Sequence, residues 1–478
     1  MSSLKEKTVK GVMWSSIDRF TSQGISFIFS ILIARMLMPS DYGVIAMLGI
    51  FMAISNCFID SGFGTALVRK IDRTETDFST VFYFNIVVAI IFYSLLWIAS
   101  PYIAAFYETP LLESITKVVG LNLIVGALGG IQGAKLTIAI DFKTTAKISV
   151  ITNIFTGVAG LSLAYLGYGV WALVFQSLSS CILRTILLWF YVRWIPQWTF
   201  SKKSFKEMFS FGSKLLASAL MDTTYNNIYT IVIGKCFSST ALGTYSRADG
   251  LAQFPSSNIT GVLQSVTYPV LSSIQNEPER MAEGYKRLLR ISAFVIFPLM
   301  VGLAAVADPF IRLILTDKWE GSIYYLQILC FALMWYPIHA INLNLLMAKG
   351  RSDYFLKLEI IKKIQGVLIL CVTIPMGLVA MCYGRIVSSL ISLIWNTYYT
   401  KKIIGYGYFQ QMKDLAHIIL HALAMGAITY SIVQIIPNNL LKLTVGILVG
   451  GIYYIGGAYF MKFNEIQELI SILKRKNR

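Results

Sequence analysis

About fourteen apolar stretches follow one another along the chain, each close to the roughly 20 residues that cross a bilayer as a helix. This pattern predicts an all-α integral membrane protein with an even number of spans. The predicted spans are residues 11–36, 43–68, 79–107, 114–139, 145–167, 170–194, 210–234, 244–273, 290–316, 322–348, 355–375, 378–402, 414–436 and 441–461.

The connections between these stretches alternate between basic and nearly uncharged. The N-terminus carries Lys5, Lys7 and Lys10 and the tail 474–478 is basic, whereas connections such as 107–110 and 437–439 carry hardly any charge. Basic loops stay on the cytoplasmic side, so both termini are predicted to be cytoplasmic. The same rule accounts for most of the net charge of +17. We therefore predict attraction to membrane lipids and no nucleic-acid partner.

The chain also repeats itself at an offset of about 200 residues, which drifts to about 208. The matched segments are 34–43 with 234–243, 99–102 with 307–310, and 169–172 with 377–380. Internal repeats of this kind are typical of transporters. We predict a six-helix lobe in residues 1–200 and a second in 201–410, related by a pseudo-two-fold axis along the membrane normal. Two additional helices and the basic tail occupy 411–478.

Polar side chains within the spans are the candidate functional residues, because an ionised group at the bilayer centre costs about 2.5–3.5 kcal/mol. The first and seventh spans carry polar stripes that the repeat makes equivalent, and we expect them to face each other across a central cavity. An alternative for the charged members is neutralisation by a neighbour on the same helix. The cavity candidates are Arg19, Asp18, Gln23, Lys214, Asp222, Tyr225, Asn226, Asn227 and Arg247.

Three further charged residues are candidates for coupling or gating. Asp60 precedes a glycine-containing segment, where it either caps a helix break or responds to protons. Arg184 and Arg385 lie within or near the ends of spans, where they either serve a cavity or reach to an interface.

The chain lacks the usual signatures of an enzyme. It contains no phosphate-binding Gly-Lys-Ser/Thr loop and no nucleophile elbow. His417 and His421 have a spacing used by metal ligands, but no carboxylate accompanies them as in a hydrolytic zinc site. We predict no enzymatic activity, no metal and no cofactor, and leave sodium or proton coupling open.

The sequence resembles the polysaccharide transporter family, and is most similar to colanic-acid-exporter-like and Wzx-type O-antigen flippases. This family belongs to the multidrug/oligosaccharidyl-lipid/polysaccharide (MOP) superfamily. The resemblance covers nearly the whole chain and weakens after about residue 410. The segments that carry it are 11–16, Arg19, 23–24, 32–35, 39–43, 60–67, 169–173, 211–214, 225–227, 245–248, 255–258 and 356–363.

The resemblance implies a MATE-like fold and a flippase for undecaprenyl-diphosphate-linked oligosaccharide in the bacterial inner membrane. Such a protein works by alternating access and supplies surface polysaccharide assembly, with other assembly proteins as further partners. A cation such as Arg19 would meet the diphosphate, while Tyr225, Asn226 and Asn227 would hold sugars. The alternatives are a cation-coupled multidrug or small-molecule antiporter, a membrane glycosyltransferase or polymerase, and a structural subunit of an export complex.

Overall fold

The computed structural model describes residue 14 and residues 21–60 and 62–467, and this part of the chain is all-helical. The predicted fold class is confirmed. The helices are α1 (Thr21–Met36), α2 (Pro39–Asp60), α3 (Phe63–Arg69), α4 (Glu75–Phe106), α5 (Leu111–Ile138), α6 (Phe142–Tyr165), α7 (Val170–Val192), α8 (Lys202–Cys236), α9 (Ser239–Ser273), α10 (Pro278–Ala305), α11 (Ala307–Leu315), α12 (Gly321–Leu333), α13 (Tyr336–Ala348), α14 (Ser352–Thr373), α15 (Leu378–Ile404), α16 (Tyr408–Ile435) and α17 (Asn439–Phe460).

Ten helical segments in the described part are long and apolar enough to cross a membrane. They are α2 with α3, α4, α5, α6, α7, α10, α12 with α13, α15, α16 and α17. The chain is therefore a multi-pass membrane protein. The other four predicted spans correspond to α1, α8, α9 and α14. The last three are 35, 35 and 22 residues long but too polar to meet the same criterion. Helices this polar require protein or water on at least one face.

Several helices begin earlier than hydropathy predicted, because polar first turns are capped. At α4, the Thr74 side chain accepts a hydrogen bond from the Asp77 backbone, and the Asp77 carboxylate accepts one from the Thr74 backbone. Lys70 lies between the spans and pairs with Asp77 and Glu207 at 3.2 and 3.3 Å. Burial acts to lower the pKa of Lys70, but the hydrogen bonds that its ammonium donates to these two carboxylates, together with their charges, raise it more. The cap explains why α4 starts at Glu75 and not at residue 79.

The described residues divide into two compact units, which we call the first unit (up to Gly243) and the second unit (from Thr244 onward). In the first unit a hydrophobic core joins α3, α4 and α8, where Phe63, Phe78, Phe82 and Met208 are buried, and the rings of Phe78 and Phe82 pack against Trp194. Helix α8 also packs along α2 within this unit. The sequence repeat predicted two six-helix lobes with a boundary at residue 200. This division stays a prediction.

Helices α2 and α9 begin with their backbones in direct contact, inside the first unit. A Cβ atom on Gly43 would lie 1.8 Å from the Ser239 carbonyl oxygen, and one on Gly243 would lie 1.8 Å from the Pro39 carbonyl oxygen. The repeat offset of 200 pairs Gly43 with Gly243 and Pro39 with Ser239. The contact is therefore reciprocal, as at a local two-fold axis.

A buried hydrogen-bond network joins four helices of the second unit. The Tyr285 hydroxyl and the Thr400 hydroxyl each donate to Asn342 Oδ1 at 2.8 Å, and Gln411 Nε2 donates to the Tyr285 hydroxyl at 3.1 Å. All four side chains are almost fully buried. The Tyr285 hydroxyl thus links α10 to α13 and α16, while Thr400 links α15 to α13.

We expect Tyr285→Phe to lower the free energy of unfolding by about 1–2 kcal/mol, because it leaves buried acceptors and donors with one partner fewer. Tyr459→Phe is the matched control, since Tyr459 on α17 is 64% exposed. Thermal unfolding in detergent measures both. A Tyr285→Phe protein that unfolds at the same temperature as the Tyr459→Phe protein would contradict the role of this network.

Candidate functional site: a polar cavity in the first unit

Five helices of the first unit, α1, α2, α5, α6 and α7, line an open cavity of about 890 Å³. All the residues that line it lie between Ser26 and Leu188. The volume is in the range of pockets that hold small molecules or part of a larger ligand.

Amides and hydroxyls dominate the polar part of the lining. Helix α7 contributes Gln176, Ser180 and Arg184, which recur every four residues and therefore share one face. The remaining polar side chains on the wall are Ser26, Ser30, Tyr42, Asn56, Asn122, Asn153, Thr156, Ser177 and Thr185. The surface is mainly neutral and rich in hydrogen-bonding groups.

Hydrogen bonds hold several of these side chains in place. Asn122 Nδ2 donates to Ser177 Oγ at 3.0 Å, and the Thr185 hydroxyl donates to the Val125 carbonyl at 3.0 Å, so α5 and α7 are tied together. Asn122 Oδ1 is buried and has no hydrogen-bond partner in the described part of the chain. This oxygen is available to accept a hydrogen bond from a ligand or a water molecule.

Glycines on α5 create part of the space. Gly126, Gly129, Gly130 and Gly133 all line the cavity. A Cβ atom on Gly129 would lie 3.1 Å from Thr185 Oγ1, so this position allows α5 to approach α7 closely. A Cβ atom on Gly133 would have no neighbour within 4 Å. Packing therefore explains Gly129, whereas the absence of a side chain at Gly133 keeps the cavity open.

Arg184 is the charged residue of the described lining. It is exposed, and it lies eight residues before the end of α7 at Val192, or about 12 Å along the axis. No ion pair joins its guanidinium to a carboxylate in the part of the chain that the structure describes. Of the two sequence interpretations for Arg184, its position on the wall favours the cavity.

The polar stripe of α8 lies apart from this cavity. Lys214, Asp222 and Asn226 are exposed, and Tyr225 is partly buried. Asn227 Nδ2 donates to the Thr223 carbonyl at 2.8 Å, so its amide is bound to its own helix. None of these five residues is among the described cavity lining. Their predicted role opposite the first span stays a prediction.

The candidate residues nearest the N-terminus lie in different places, and none of them is among the described cavity lining. Arg19 and Asp18 lie outside the described residues. Gln23 is on α1, outside the lining, and its Oε1 is buried without a hydrogen-bond partner among the described residues. Asp60 is exposed at the end of α2, and its carboxylate lies 3.5 Å from where a Cβ atom of Gly64 would be.

Two candidates lie in the second unit. Arg385 on α15 donates to the Tyr245 hydroxyl at 2.8 Å and forms an ion pair with Asp249 on α9. Arg247 lies 5.9 Å from the centre of the Trp319 ring. Sequence reasoning missed Asp249. The sequence feature that could have revealed Asp249 is its four-residue spacing from Tyr245, which places both side chains on one face of a polar helix.

The family model described as "polysaccharide biosynthesis protein" matches residues 32–324, which is more than half of the chain. The chain belongs to this family. The teichuronic acid biosynthesis protein TuaB of Bacillus subtilis (strain 168) is 28% identical over 74% of this chain and 74% of its own length. The lipopolysaccharide biosynthesis protein WzxC of Escherichia coli (strain K12) is 23% identical over 86% of this chain and 85% of its own length.

Solved structures share the fold of this family member. The lipid II flippase MurJ, in an inward closed conformation, matches with a TM-score of 0.77 at 17% identity, over 94% of this chain and 99% of MurJ. An inward-facing multidrug transporter of the MATE family matches with a TM-score of 0.61 at 13% identity, over 80% of this chain and 98% of its own. The MATE-like fold and the resemblance to the polysaccharide transporter family are confirmed.

Proposed function

We propose that this protein is a flippase that moves undecaprenyl-diphosphate-linked oligosaccharide from the cytoplasmic to the outer leaflet of a bacterial inner membrane. The observation that carries the proposal is a cavity of about 890 Å³ in a multi-pass member of the polysaccharide biosynthesis family, whose lining combines apolar side chains with amides, hydroxyls and one guanidinium. Both termini lie in the cytoplasm, and the translocated lipid passes to other surface polysaccharide assembly proteins.

The neutral polar lining suits a glycan. Each sugar hydroxyl is both a donor and an acceptor, so a sugar loses little on leaving water if the cavity supplies partners of both kinds. Asn122 Oδ1 accepts from such a hydroxyl, while the Gln176 amide on α7 offers donors and an acceptor. The cavity then binds the oligosaccharide part while the polyprenyl tail stays in the lipid.

Arg184 suits the anionic part of the same ligand. A guanidinium presents a planar fork of donors that matches phosphate oxygens, and charge-assisted hydrogen bonds are about twice as strong as neutral ones. Arg184 therefore serves as a cation for the diphosphate or for an acidic sugar. Arg19 remains a second candidate for that role.

The second candidate function is the cation-coupled multidrug antiporter, which the fold shared with the MATE transporter favours. Charge argues against it at this cavity. Phe29 and Tyr42 offer aromatic faces, but the described lining carries no carboxylate, and the positive charge of Arg184 repels a cation. The family match places the chain with polysaccharide biosynthesis proteins, so we propose no catalytic role and no drug substrate.

Filling the cavity should stop transport without unfolding the protein. We expect Gly133→Leu to lower translocation by at least about tenfold, because Gly133 lines the cavity and a Cβ atom there has no neighbour within 4 Å, so the larger side chain has room to occupy the cavity. Gly133→Ala is the matched control, since one methyl group leaves most of the volume. Membrane levels and thermal unfolding report the fold of both variants. Equal transport by the leucine and alanine variants would show that cargo does not use this space.

Deletion of the gene in its native organism tests the proposed function in the cell. We expect undecaprenyl-diphosphate-linked oligosaccharide to accumulate on the cytoplasmic leaflet, and wild-type protein to relieve the accumulation. An unchanged amount of lipid-linked sugar, in a strain without a redundant exporter, would argue for the antiporter. Longer glycans made by the purified protein in vesicles would instead indicate a polymerase.

A further inference from the structure

Arg385 and Asp249 form an ion pair inside the second unit, between α15 and α9. Arg385 is seven residues beyond the start of α15 at Leu378, about 10 Å along the helix. Its side chain is 20% exposed and that of Asp249 is 26% exposed. The Tyr245 hydroxyl, 2.8 Å from Arg385 Nη1, completes the cluster. Both charges are thus largely removed from water.

The surroundings of the pair are mostly uncharged. Tyr245 is 2% exposed, and its ring centre lies 6.5 Å from that of Tyr325 on α12. Cys382, one turn before Arg385 on α15, is fully buried. Arg247 is the nearest other charge along α9 and contacts Trp319. In such a setting a carboxylate that lost its partner would be expensive to keep ionised, and would take up a proton or a metal cation.

We propose that the Arg385 guanidinium is a built-in counter-cation that takes the place a sodium ion or a proton would otherwise occupy at Asp249. The second unit therefore binds no coupling cation at this carboxylate. The inference goes beyond the proposed function, because it concerns the energy source of transport and holds for any cargo.

The chemistry of arginine supports a permanent neutralisation. A guanidinium stays protonated at every physiological pH, so neither a change of pH nor a change of sodium concentration discharges it. Nη1 of Arg385 donates both to the Tyr245 hydroxyl and to the Asp249 carboxylate, which fixes the charge beside the carboxylate. A coupling carboxylate must release its cation in every cycle, whereas a cation attached to the protein backbone cannot leave.

Removal of the guanidinium should create the cation site. We compare the thermal unfolding of the purified full-length protein in sodium chloride and in choline chloride, each at about 0.15 M, at a pH well above the ordinary carboxylate pKa. Arg385→Met keeps the side-chain volume and removes the charge. We expect sodium to raise the Tm of this variant by at least about 3 °C. We expect no sodium-dependent change in the wild type or in the double variant Arg385→Met with Asp249→Asn.

Two results would overturn the proposal. One is a sodium-dependent Tm rise in the wild type that Asp249→Asn removes, because a cation would then bind Asp249 beside Arg385. The other is a folded Arg385→Met protein whose Tm responds to neither sodium nor acidification.

Arg385→Gln, whose amide keeps a contact with Tyr245, replaces Arg385→Met if the latter does not fold. The wild type and Asp249→Asn decide the question even without a variant at Arg385. These measurements use no transported cargo. Their result can therefore be interpreted even if the proposed function is wrong.

Discussion

Alanine at Gly243 is expected to remove most of the folded protein from the membrane. A Cβ atom there would lie 1.8 Å from the Pro39 carbonyl oxygen, far inside van der Waals contact. The opposing atom belongs to the backbone of α2, which cannot rotate away as a flexible side chain does. The two helices would have to separate, and close packing near the crossing would be lost.

The reciprocal contact predicts the same result for Gly43→Ala, whose Cβ atom would lie 1.8 Å from the Ser239 carbonyl oxygen. We expect each variant to lower the ratio of folded to unfolded protein by at least about tenfold, or about 1.4 kcal/mol. Detergent-solubilised protein, quantified by size-exclusion chromatography and thermal unfolding, measures the loss.

Two glycines on the same helices serve as controls. Gly49 on α2 and Gly250 on α9 have no atom within 4 Å of a new Cβ atom. Alanine favours a helix over glycine by up to about 1 kcal/mol, so Gly49→Ala and Gly250→Ala should be neutral or stabilising. If Gly43→Ala or Gly243→Ala accumulates and unfolds like these controls, the backbones of α2 and α9 do not approach each other as closely as these two distances require.

Loss of the charge at Arg184 is expected to reduce translocation of the lipid-linked oligosaccharide by at least about tenfold. A hydrogen bond to a charged group contributes about 1.5–3 kcal/mol, and that amount is lost when Arg184→Ala leaves an anionic ligand without its cation. The fold should be unaffected, because Arg184 is exposed in the cavity and makes no ion pair in the described part of the chain. Transport into inverted membrane vesicles, normalised to protein level, measures the effect.

Two further variants separate the effect of the Arg184 charge on transport from the effect of its planar geometry. Arg184→Lys keeps the charge but loses the planar fork, so we expect partial activity. Lys203→Ala removes one positive charge at the exposed start of α8, away from the cavity, and should leave transport unchanged. Full activity of Arg184→Ala beside an unaffected Lys203→Ala protein would exclude a role for the Arg184 charge.

Hydropathy and charge were enough to predict the membrane fold, because helices such as α4, α7 and α17 present broad apolar surfaces that the sequence shows directly. Helices α8 and α9 were predicted as two of the apolar stretches, and the structure shows long helices there that are too polar to meet the criterion for a span. Their first turns were placed less well, because capping residues such as Ser201 extend a helix beyond its apolar part.

The cavity could be predicted only in part, because its walls come from distant segments. Asn122 contacts Ser177, which is 55 residues away in the sequence, so no local spacing reveals this pair. The same holds outside the cavity for Asp249 and Arg385 of the second unit, which are 136 residues apart. Arg184 could be recognised as an unusual charge in an apolar helix, but not as part of a wall. Glycines on a membrane helix generally indicate close helix packing, which describes Gly129 and misses the open space at Gly133.

Reconstitution of the purified protein into liposomes tests the central claim most directly. Undecaprenyl-diphosphate-linked oligosaccharide is placed in one leaflet, and its appearance in the other is followed by accessibility to a membrane-impermeant glycosidase, beside empty liposomes and the Arg184→Ala protein. The account predicts rapid protein-dependent exposure of the glycan that Arg184→Ala lowers by at least about tenfold. Exposure no faster than in empty liposomes, together with uptake of a cationic dye driven by a sodium or proton gradient, would contradict it.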